Sequence, residues 1–197
     1  MEKFVKEVEG IYRLRVPFER IYTSVFLVES EDLAILVDCA TTSDDVDGII
    51  LPALRDIGYE LSDIYAIVLT HRHGDHAGGL ERILSHAPDI KVIEGACTVS
   101  QDISVFPMPG HTEDMVGVFD KRTGTLISGD GLQGAGVDKY RCYVKSRDAY
   151  LETIERIRND KRIENILFSH AYEPWYKDGA FGRETVEACL SDCLKYV

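Results

Sequence analysis

The sequence is poor in basic residues and has no long apolar run. It contains 22 Lys and Arg against 34 Asp and Glu, which gives a formal net charge of −12. Binding to nucleic acid rests on clusters of Lys and Arg, so we do not expect a nucleic-acid partner. No segment approaches the roughly 20 apolar residues that span a membrane, and the N-terminus lacks the apolar stretch of a signal peptide. We expect a cytoplasmic protein without membrane contact.

Cysteines are also few, and their arrangement excludes a disulfide scaffold. There are five, an odd number, and no two have zinc-finger spacing. This usage is typical of reduced thiols. The length of 197 residues suits one domain with a sizeable core. Because no linker, repeat or low-complexity segment interrupts the chain, we predict a single domain over residues 1–197.

Strand-like and helix-like patterns alternate along the chain. β-Branched, apolar segments at 23–28 and 33–37 predict a hairpin. Ser43 is a candidate N-cap of a helix that Pro52 should kink and Gly58 should end. Further strands are predicted at 65–70, 90–93, 103–106, 115–119, 124–128 and 166–168, and further helices at 79–85, 146–158 and 178–196. This alternation predicts a layered α/β sandwich.

One segment concentrates side chains that bind metals. Thr70–His76 holds His71, His73, Asp75 and His76 directly after an apolar strand. Ligand sites in α/β folds lie at the carboxyl ends of strands, and imidazole and carboxylate are ligands for zinc, iron or manganese. Four such side chains beside an apolar strand are hard to explain as packing. We interpret the isolated His86, in contrast, as a solvated residue.

Three later segments each place a metal-competent side chain just past a predicted strand. His111 stands in Pro109-Gly110-His111-Thr112, Asp130 lies between two glycines, and His170 follows the strand at 166–168. Each of these residues alone is as consistent with a loop or turn as with a ligand. Their repeated position after a strand favours one ligand set assembled from distant parts of the sequence.

In this order the motifs resemble those of the metallo-β-lactamase superfamily, and the resemblance extends from about residue 20 to 175. Asp38, in Leu36-Val37-Asp38, matches the first motif of that superfamily. The resemblance implies a four-layer αββα sandwich with the site on one edge. It further implies that His71, His73 and His111 bind a first metal, that Asp75, His76 and His170 bind a second, and that Asp130 bridges the two. Asp38 would orient a ligand from outside the ligand set.

The implied chemistry is hydrolysis at a dinuclear centre. Two ions, expected to be Zn²⁺ with Fe²⁺ or Mn²⁺ as alternatives, would hold a bridging hydroxide at neutral pH. Asp130 would be catalytic as the bridge, and Asp75 as a ligand that also passes a proton. The expected substrate is a small ester, thioester, lactone or related carbonyl compound.

Other activities share these motifs, so the sequence leaves them open. A persulfide dioxygenase would use one non-haem iron held by two His and one Asp. A phosphodiesterase or nuclease is less favoured, and a non-catalytic module has little reason to keep seven ligands. Glyoxalase II is similar at the metal motifs but carries a helical C-terminal extension, whereas a short segment follows His170 here. Many true β-lactamases have Cys at the position of Asp130.

Substrate contacts are predicted from position alone. Tyr140, Arg141 and Tyr143 follow Asp130 in a segment without strong periodicity, and Tyr22 lies in a loop, residues 18–22, that could form the opposite lip. A packing role for these tyrosines is an equal alternative. The short interval between His76 and His111 suggests a trimmed segment at 85–105, and with it either a more open cleft or one completed by a partner chain, as in a homodimer. The equal alternative is that the missing segment is a distant surface loop.

Overall fold

The computed structural model describes residues 2–19, 21–31, 33–132, 143–171, 177–195 and 197. The chain divides into two compact units, Met1–Glu94 and Gly95–Val197. Each unit contains a six-stranded sheet with both parallel and antiparallel neighbours. The prediction of a single domain over the whole chain stays a prediction.

In the first unit the strands lie side by side in chain order. They are β1 (Val5–Val8), β2 (Ile11–Phe18), β3 (Ile21–Glu29), β4 (Ala34–Val37), β5 (Ile64–Val68) and β6 (Lys91–Ile93). Neighbours from β1 to β4 are antiparallel, while β4, β5 and β6 run parallel. The predicted hairpin is therefore present as β3 and β4, and the carboxyl ends of β4 and β5 meet at one edge of the sheet.

Four α-helices belong to the described part of this unit. They are α1 (Ser43–Asp45), α2 (Leu51–Asp56), α3 (Gly74–Ala77) and α4 (Leu80–His86). Of these, α2 and α4 pack on one face of the sheet. Because every second strand residue points to the same face, Leu27, Leu36 and Ile67 enter one buried cluster with Leu54 of α2 and Ile83 of α4. Burial of each such side chain contributes roughly 1.5–3 kcal/mol, which anchors the strands that lead to the site.

The start of α1 differs from the prediction by one residue. The N-cap is Thr42, not Ser43: Thr42 Oγ1 accepts a hydrogen bond from the Asp45 backbone N–H at 3.1 Å, and the Asp45 carboxylate accepts one from the Thr42 N–H at 2.8 Å. This reciprocal pair is a capping box, for which Asp45 supplies the return bond. A π turn at Val46–Ile50 occupies the position before Pro52 where a kink was predicted.

The second unit has its own sheet, in the order β12-β11-β10-β9-β8-β7. The strands are β7 (Cys97–Thr98), β8 (Ile103–Pro107), β9 (Val116–Asp120), β10 (Thr125–Ile127), β11 (Asn165–Leu167) and β12 (Gly179–Phe181). β10 and β11 are parallel, and the other neighbours are antiparallel. Two helices, α5 (Arg147–Asn159) and α6 (Arg183–Leu194), contribute Ile154 and Leu190 to a buried cluster with Phe119, Leu126 and Ile166.

The C-terminal helix begins later than predicted. We expected it from Asp178, but Gly179–Phe181 forms β12, which pairs antiparallel with β11. Gly182 then turns the chain with a φ of 80°, and the helix starts at Arg183. β12 forms because it satisfies backbone hydrogen-bonding groups at the edge of β11. The helical pattern of the sequence does not reveal this pairing. Within the described residues, no helix has both the length and the apolar composition to cross a bilayer.

Candidate metal centre

The first group of predicted ligands lies just past β4 and β5. Val37 and Val68 pair in parallel register, so Asp38 and Thr70 leave the sheet near each other. Asp38 has a φ of 63°, in the left-handed region that Asp tolerates better than most residues. Its backbone N–H donates to the Val68 carbonyl at 2.9 Å. The Asp38 carboxylate in turn accepts the backbone N–H of Thr70 at 2.8 Å, which fixes its orientation.

The Asp38 carboxylate connects two predicted metal ligands. The Thr70 hydroxyl donates to Asp38 Oδ2 at 2.8 Å and lies 3.1 Å from His71 Nδ1. Nδ1 of His76 lies 2.8 Å from the same carboxylate oxygen. All four residues are buried. One carboxylate therefore positions His76 directly and His71 through the Thr70 hydroxyl.

This network assigns the tautomers of both imidazoles. An ionised carboxylate can only accept, so the Thr70 hydroxyl proton and the His76 Nδ1 proton both point to Asp38. The Thr70 oxygen is then the acceptor for the Nδ1 proton of His71. Each ring therefore keeps an unprotonated Nε2, which is the form that binds a metal.

The atoms of this segment that could bind a metal form two pairs. His71 Nε2 lies 3.0 Å from His73 Nδ1, and His76 Nε2 lies 3.5 Å from Asp75 Oδ2. Two ligand atoms on one tetrahedral zinc ion, each bonded at about 2.0–2.1 Å, are roughly 3.3 Å apart. Both pairs have the separation expected of atoms that share an ion. Thr23 Oγ1 also donates to Asp75 Oδ2, at 3.4 Å.

Two glycines allow this segment to approach the turn after β4. A Cβ on Gly78 would lie 1.9 Å from the Thr41 carbonyl oxygen, and one on Gly79 would lie 2.1 Å from that of Cys39. The Cys39 backbone N–H donates to the His76 carbonyl at 2.8 Å across this contact. Only glycine fits at both positions, and the contact holds His76 against the Asp38 turn.

Cys39 follows Asp38 but is held as a packing residue. Its thiol is buried and donates to the His76 carbonyl at 3.2 Å. Burial, and secondarily the charge of Asp38, raises the pKa of this thiol well above its usual range. The reactive form of cysteine is the thiolate, which is disfavoured here.

We expect iodoacetamide at neutral pH to alkylate the half-buried Cys97 well before Cys39 in the folded protein, because Cys39 is both inaccessible and protonated. Peptide mass spectrometry over a time course measures the two rates, and urea-unfolded protein serves as the control in which they converge. Equal rates in the folded protein would show that Cys39 is exposed or ionised.

In the second unit, three predicted ligands also follow strands. Asp130 lies in a 3₁₀ turn, Gly129–Gly131, just after β10, and His170 follows β11. Because β10 and β11 are parallel, both residues leave the sheet at the same edge. His111 lies in the connection between β8 and β9. All three side chains are buried.

Asp130 faces two histidines with different oxygen atoms. Its Oδ2 lies 3.6 Å from His111 Nε2, and its Oδ1 lies 3.2 Å from His170 Nε2. Each of these two separations is close to that of two ligand atoms on one ion. This contact set lies wholly within the second unit.

Backbone contacts hold His111 in one orientation. Its Nδ1 donates to the Tyr143 carbonyl oxygen at 2.8 Å, which leaves Nε2 unprotonated. Gly110 precedes it with a φ of 148°, and a Cβ there would lie 2.6 Å from the Tyr150 ring. A larger residue at this position would displace either α5 or the histidine.

The predicted site residues are distributed as follows. The first unit brings together Asp38, His71, His73, Asp75 and His76, and the second brings together His111, Asp130 and His170. Tyr22 lies in β3 and not in the predicted loop at 18–22, because β2 and β3 stay paired as far as Phe18 and Ile21. The Tyr143 ring stands edge-on to His111, with 5.7 Å between the ring centres. Tyr140 and Arg141 lie outside the described residues. His86 is bound to Asp47 on the surface, as its interpretation as a solvated residue requires.

One positioning residue was missed. The sequence pattern predicts no role for Thr70, although its hydroxyl joins Asp38 to His71. The only signal for it in the sequence is its place between an apolar strand and the first histidine, where a hydroxyl would be enclosed and in need of partners.

Comparisons with known proteins agree with this geometry. A family model described as the metallo-β-lactamase superfamily matches residues 19–96. A hydroxyacylglutathione hydrolase from Erwinia tasmaniensis is 28% identical over 149 residues, which cover 62% of this chain and 59% of that protein. The uncharacterized protein YobT of Bacillus subtilis is 29% identical over 150 residues, 56% of this chain and 62% of that one. The match thus spans about six tenths of these relatives.

Solved structures extend the likeness to nearly the whole chain. The metallo-β-lactamase FIM-1 from Pseudomonas aeruginosa in its mono-zinc form covers 98% of this chain and 95% of its own, with a TM-score of 0.76 and 19% identity. A metallo-β-lactamase from Erythrobacter litoralis covers 98% and 96%, with a TM-score of 0.73 and 19% identity. The predicted resemblance to the metallo-β-lactamase superfamily is confirmed. The predicted α/β sandwich of that superfamily is confirmed as the fold class.

The likeness to the superfamily and the His/Asp ligand candidates together imply a metal cofactor. Within each unit, potential ligand atoms lie within 4.8 Å of one another, as in the pairs His71 with His73, Asp75 with His76, and His111 with Asp130. Neutral imidazole nitrogens with carboxylate oxygens form a donor set suited to Zn²⁺ and to other first-row metals. The assigned tautomers leave nitrogen lone pairs for an ion, so the residues present fit a metal.

Proposed function

We propose that the chain is a dinuclear metal-dependent hydrolase of small esters, thioesters or related carbonyl compounds. The observation that carries the proposal is the placement of Asp130, whose two oxygens stand beside Nε2 of His111 and Nε2 of His170 respectively. A single-ion site would need one of these contacts. The pair favours a bridged, two-ion centre.

The proposed ligand assignment follows the superfamily order and agrees with the donor pairs inside each unit. His71, His73 and His111 would hold the first ion, Asp75, His76 and His170 the second, and Asp130 both. Distances in the first unit support this division of the ligands between two ions. His71 Nε2 lies beside His73 Nδ1, while Asp75 Oδ2 lies beside His76 Nε2. Zinc is the proposed metal, since imidazole nitrogens and carboxylate oxygens are among its usual ligands in proteins.

The proposed chemistry divides between the ions and the protein. When bound, two zinc ions supply a hydroxide nucleophile near neutral pH and a Lewis acid for the carbonyl oxygen. Asp38, Thr70 and the Tyr143 carbonyl keep the imidazoles in the tautomer that leaves Nε2 unprotonated. Asp75 would accept and pass on a proton, a role that the position of its carboxylate beside His76 supports.

A thioester is the proposed first choice of substrate class. Two relatives named hydroxyacylglutathione hydrolase match more than half of this chain, at 28% and 27% identity. The name describes those proteins, and the low identity leaves the acyl and thiol parts of the substrate open. We therefore propose a small thioester or ester and test a panel of both.

The decisive experiment measures metal content and turnover on the same preparation. We expect about two zinc ions per chain by elemental analysis after anaerobic purification, together with hydrolysis of some esters or thioesters. Chelation should abolish turnover, and added Zn²⁺ should restore it. His86→Gln is the matched control, because this histidine binds Asp47 on the surface and should leave zinc content and rate unchanged.

A different result would select the competing activity. One iron per chain, with oxygen consumption on a persulfide and no hydrolysis of the panel, would replace the hydrolase with a non-haem iron dioxygenase. Two zinc ions per chain without turnover of any substrate would support the proposed metal centre but contradict the proposed reaction.

A further inference from the structure

A cavity of about 220 Å³ opens in the second unit, lined by residues of the sheet and of the end of α5. Ser104 and Phe119 are directly opposed on β8 and β9, and Phe106 lies two residues from Ser104, so the three side chains share one face of the sheet. Ile157 of α5 and Ile163 complete the apolar lining. None of the proposed metal ligands, all of which the structure describes, is among the residues that line this cavity.

Two arginines border the apolar lining. The guanidinium carbon of Arg156 lies 5.8 Å from the centre of the Phe106 ring, and that of Arg162 lies 5.6 Å from the centre of the Phe119 ring. Both distances are within the range of a cation–π contact. Both arginines are exposed, whereas Phe119 is buried. A molecule in the cavity would therefore have apolar groups at its inner end and guanidinium groups towards solvent.

The two arginines differ in how their charge is compensated. Arg162 donates to both oxygens of Asp160, at 2.8 and 2.6 Å, and lowers the pKa of that carboxyl, so the two charges cancel. Arg156 donates through Nη2 to the neutral Pro107 carbonyl. Within the described residues it has no carboxylate partner, and its Nε and Nη1 form no hydrogen bond. Since a guanidinium has five N–H donors, Arg156 keeps an uncompensated charge and several donors at the cavity.

We propose that this cavity binds a small carboxylate with a single aromatic ring, whose carboxylate group pairs with Arg156. The volume is below the roughly 300–1,000 Å³ of sites for drug-sized ligands, so it suits one ring. The two phenylalanines and two isoleucines favour burial of that ring, and a guanidinium can bind a carboxylate through two N–H groups. An arginine that only covered apolar surface with its stem would leave no cavity to fill.

Binding is tested with benzoate and two partial analogues. Benzoate is titrated into ¹⁵N-labelled protein, as purified with its metal, while the backbone amide NMR signals are followed. We expect saturable shifts at Ser104, Phe106 and Ile163. Benzyl alcohol keeps the ring without the charge, and acetate keeps the charge without the ring. Each should bind at least ~10-fold more weakly, because it lacks either a charged hydrogen bond or the burial of the ring.

A variant and a matched control locate the charge that matters. Arg156→Gln should weaken benzoate binding by roughly 10- to 100-fold, the usual effect of losing a charged hydrogen bond, and Arg156→Lys should recover part of the loss. Arg147 is exposed on the same helix and does not line the cavity, so Arg147→Gln should leave the affinity unchanged. Equal losses in Arg156→Gln and Arg147→Gln would mean that general positive charge attracts benzoate, which overturns the site.

The position of the shifted amides separates this cavity from other places of binding. Shifts confined to residues 71–76, 130 and 170, and unaffected by Arg156→Gln, would place benzoate at the metal centre and overturn the proposal. The absence of saturable shifts at the cavity would do the same. Shifts there that follow protein concentration without benzoate would show that a second copy of the chain occupies the cavity instead. None of these measurements needs turnover, so the result is independent of the proposed hydrolase function.

Discussion

Replacing Asp130 with Asn should remove metal from the protein and nearly abolish hydrolysis. The amide keeps one oxygen that can ligate, but its nitrogen has no lone pair to offer a second ion. Since Asp130 faces His111 with Oδ2 and His170 with Oδ1, one of these two contacts must lose its carboxylate oxygen. We expect at most one tightly bound ion per chain. The fall in kcat/KM should exceed the roughly 10- to 100-fold typical of an outer hydrogen-bond partner.

The matched control is Asp120→Asn. Asp120 is a buried carboxylate of the same unit that binds Arg122 at 2.8 Å rather than any predicted ligand. Its loss should lower stability but leave the metal content at two, as measured by elemental analysis and urea unfolding. An Asp130→Asn protein that keeps two ions and full activity would contradict the bridged centre. A similar loss of metal in both variants would mean that general unfolding, not the bridge, is being measured.

The sequence predicted that side chains able to bind a metal lie just past the ends of strands, because only a few residue types can serve as metal ligands. Four ligand-competent side chains within Thr70–His76 have no common structural explanation, and parallel strands bring their carboxyl ends to one edge. The apolar pattern likewise predicted β3, β4 and α5, where local preference and burial agree.

Other features depend on contacts that no local pattern records. The strand β12 forms because β11 offers an open edge, which displaced the predicted helix start from Asp178 to Arg183. The N-cap moved to Thr42 because Asp45 returns its hydrogen bond. Thr70 gained a role only through partners 32 residues away in sequence and directly beside it. In each case the structure depends on one hydrogen-bonding partner and its exact position. The composition of a segment does not show where that partner lies.

Replacing Asp38 with Asn should weaken the binding of one ion without unfolding the protein. Asn is isosteric with Asp and tolerates the left-handed φ of 63° at this position. Its amide oxygen can still accept the Thr70 backbone N–H. Its NH₂ group, however, cannot accept the proton on His76 Nδ1, 2.8 Å away. His76 must then place its proton on Nε2, the atom that the proposed second ion requires.

The expected result is a 10- to 100-fold loss of affinity for that ion, the usual effect of an outer hydrogen-bond partner, with a comparable loss of kcat/KM. Competition with a zinc chelator measures the affinity, and urea unfolding of the metal-free protein measures stability. Asp38→Ala removes the acceptor and also leaves Thr70 and His76 as buried donors, so it should lose stability as well as metal. If Asp38→Asn matched Asp38→Ala in stability and kept wild-type zinc affinity, Asp38 would be a structural residue of the turn and not the group that sets the His76 tautomer.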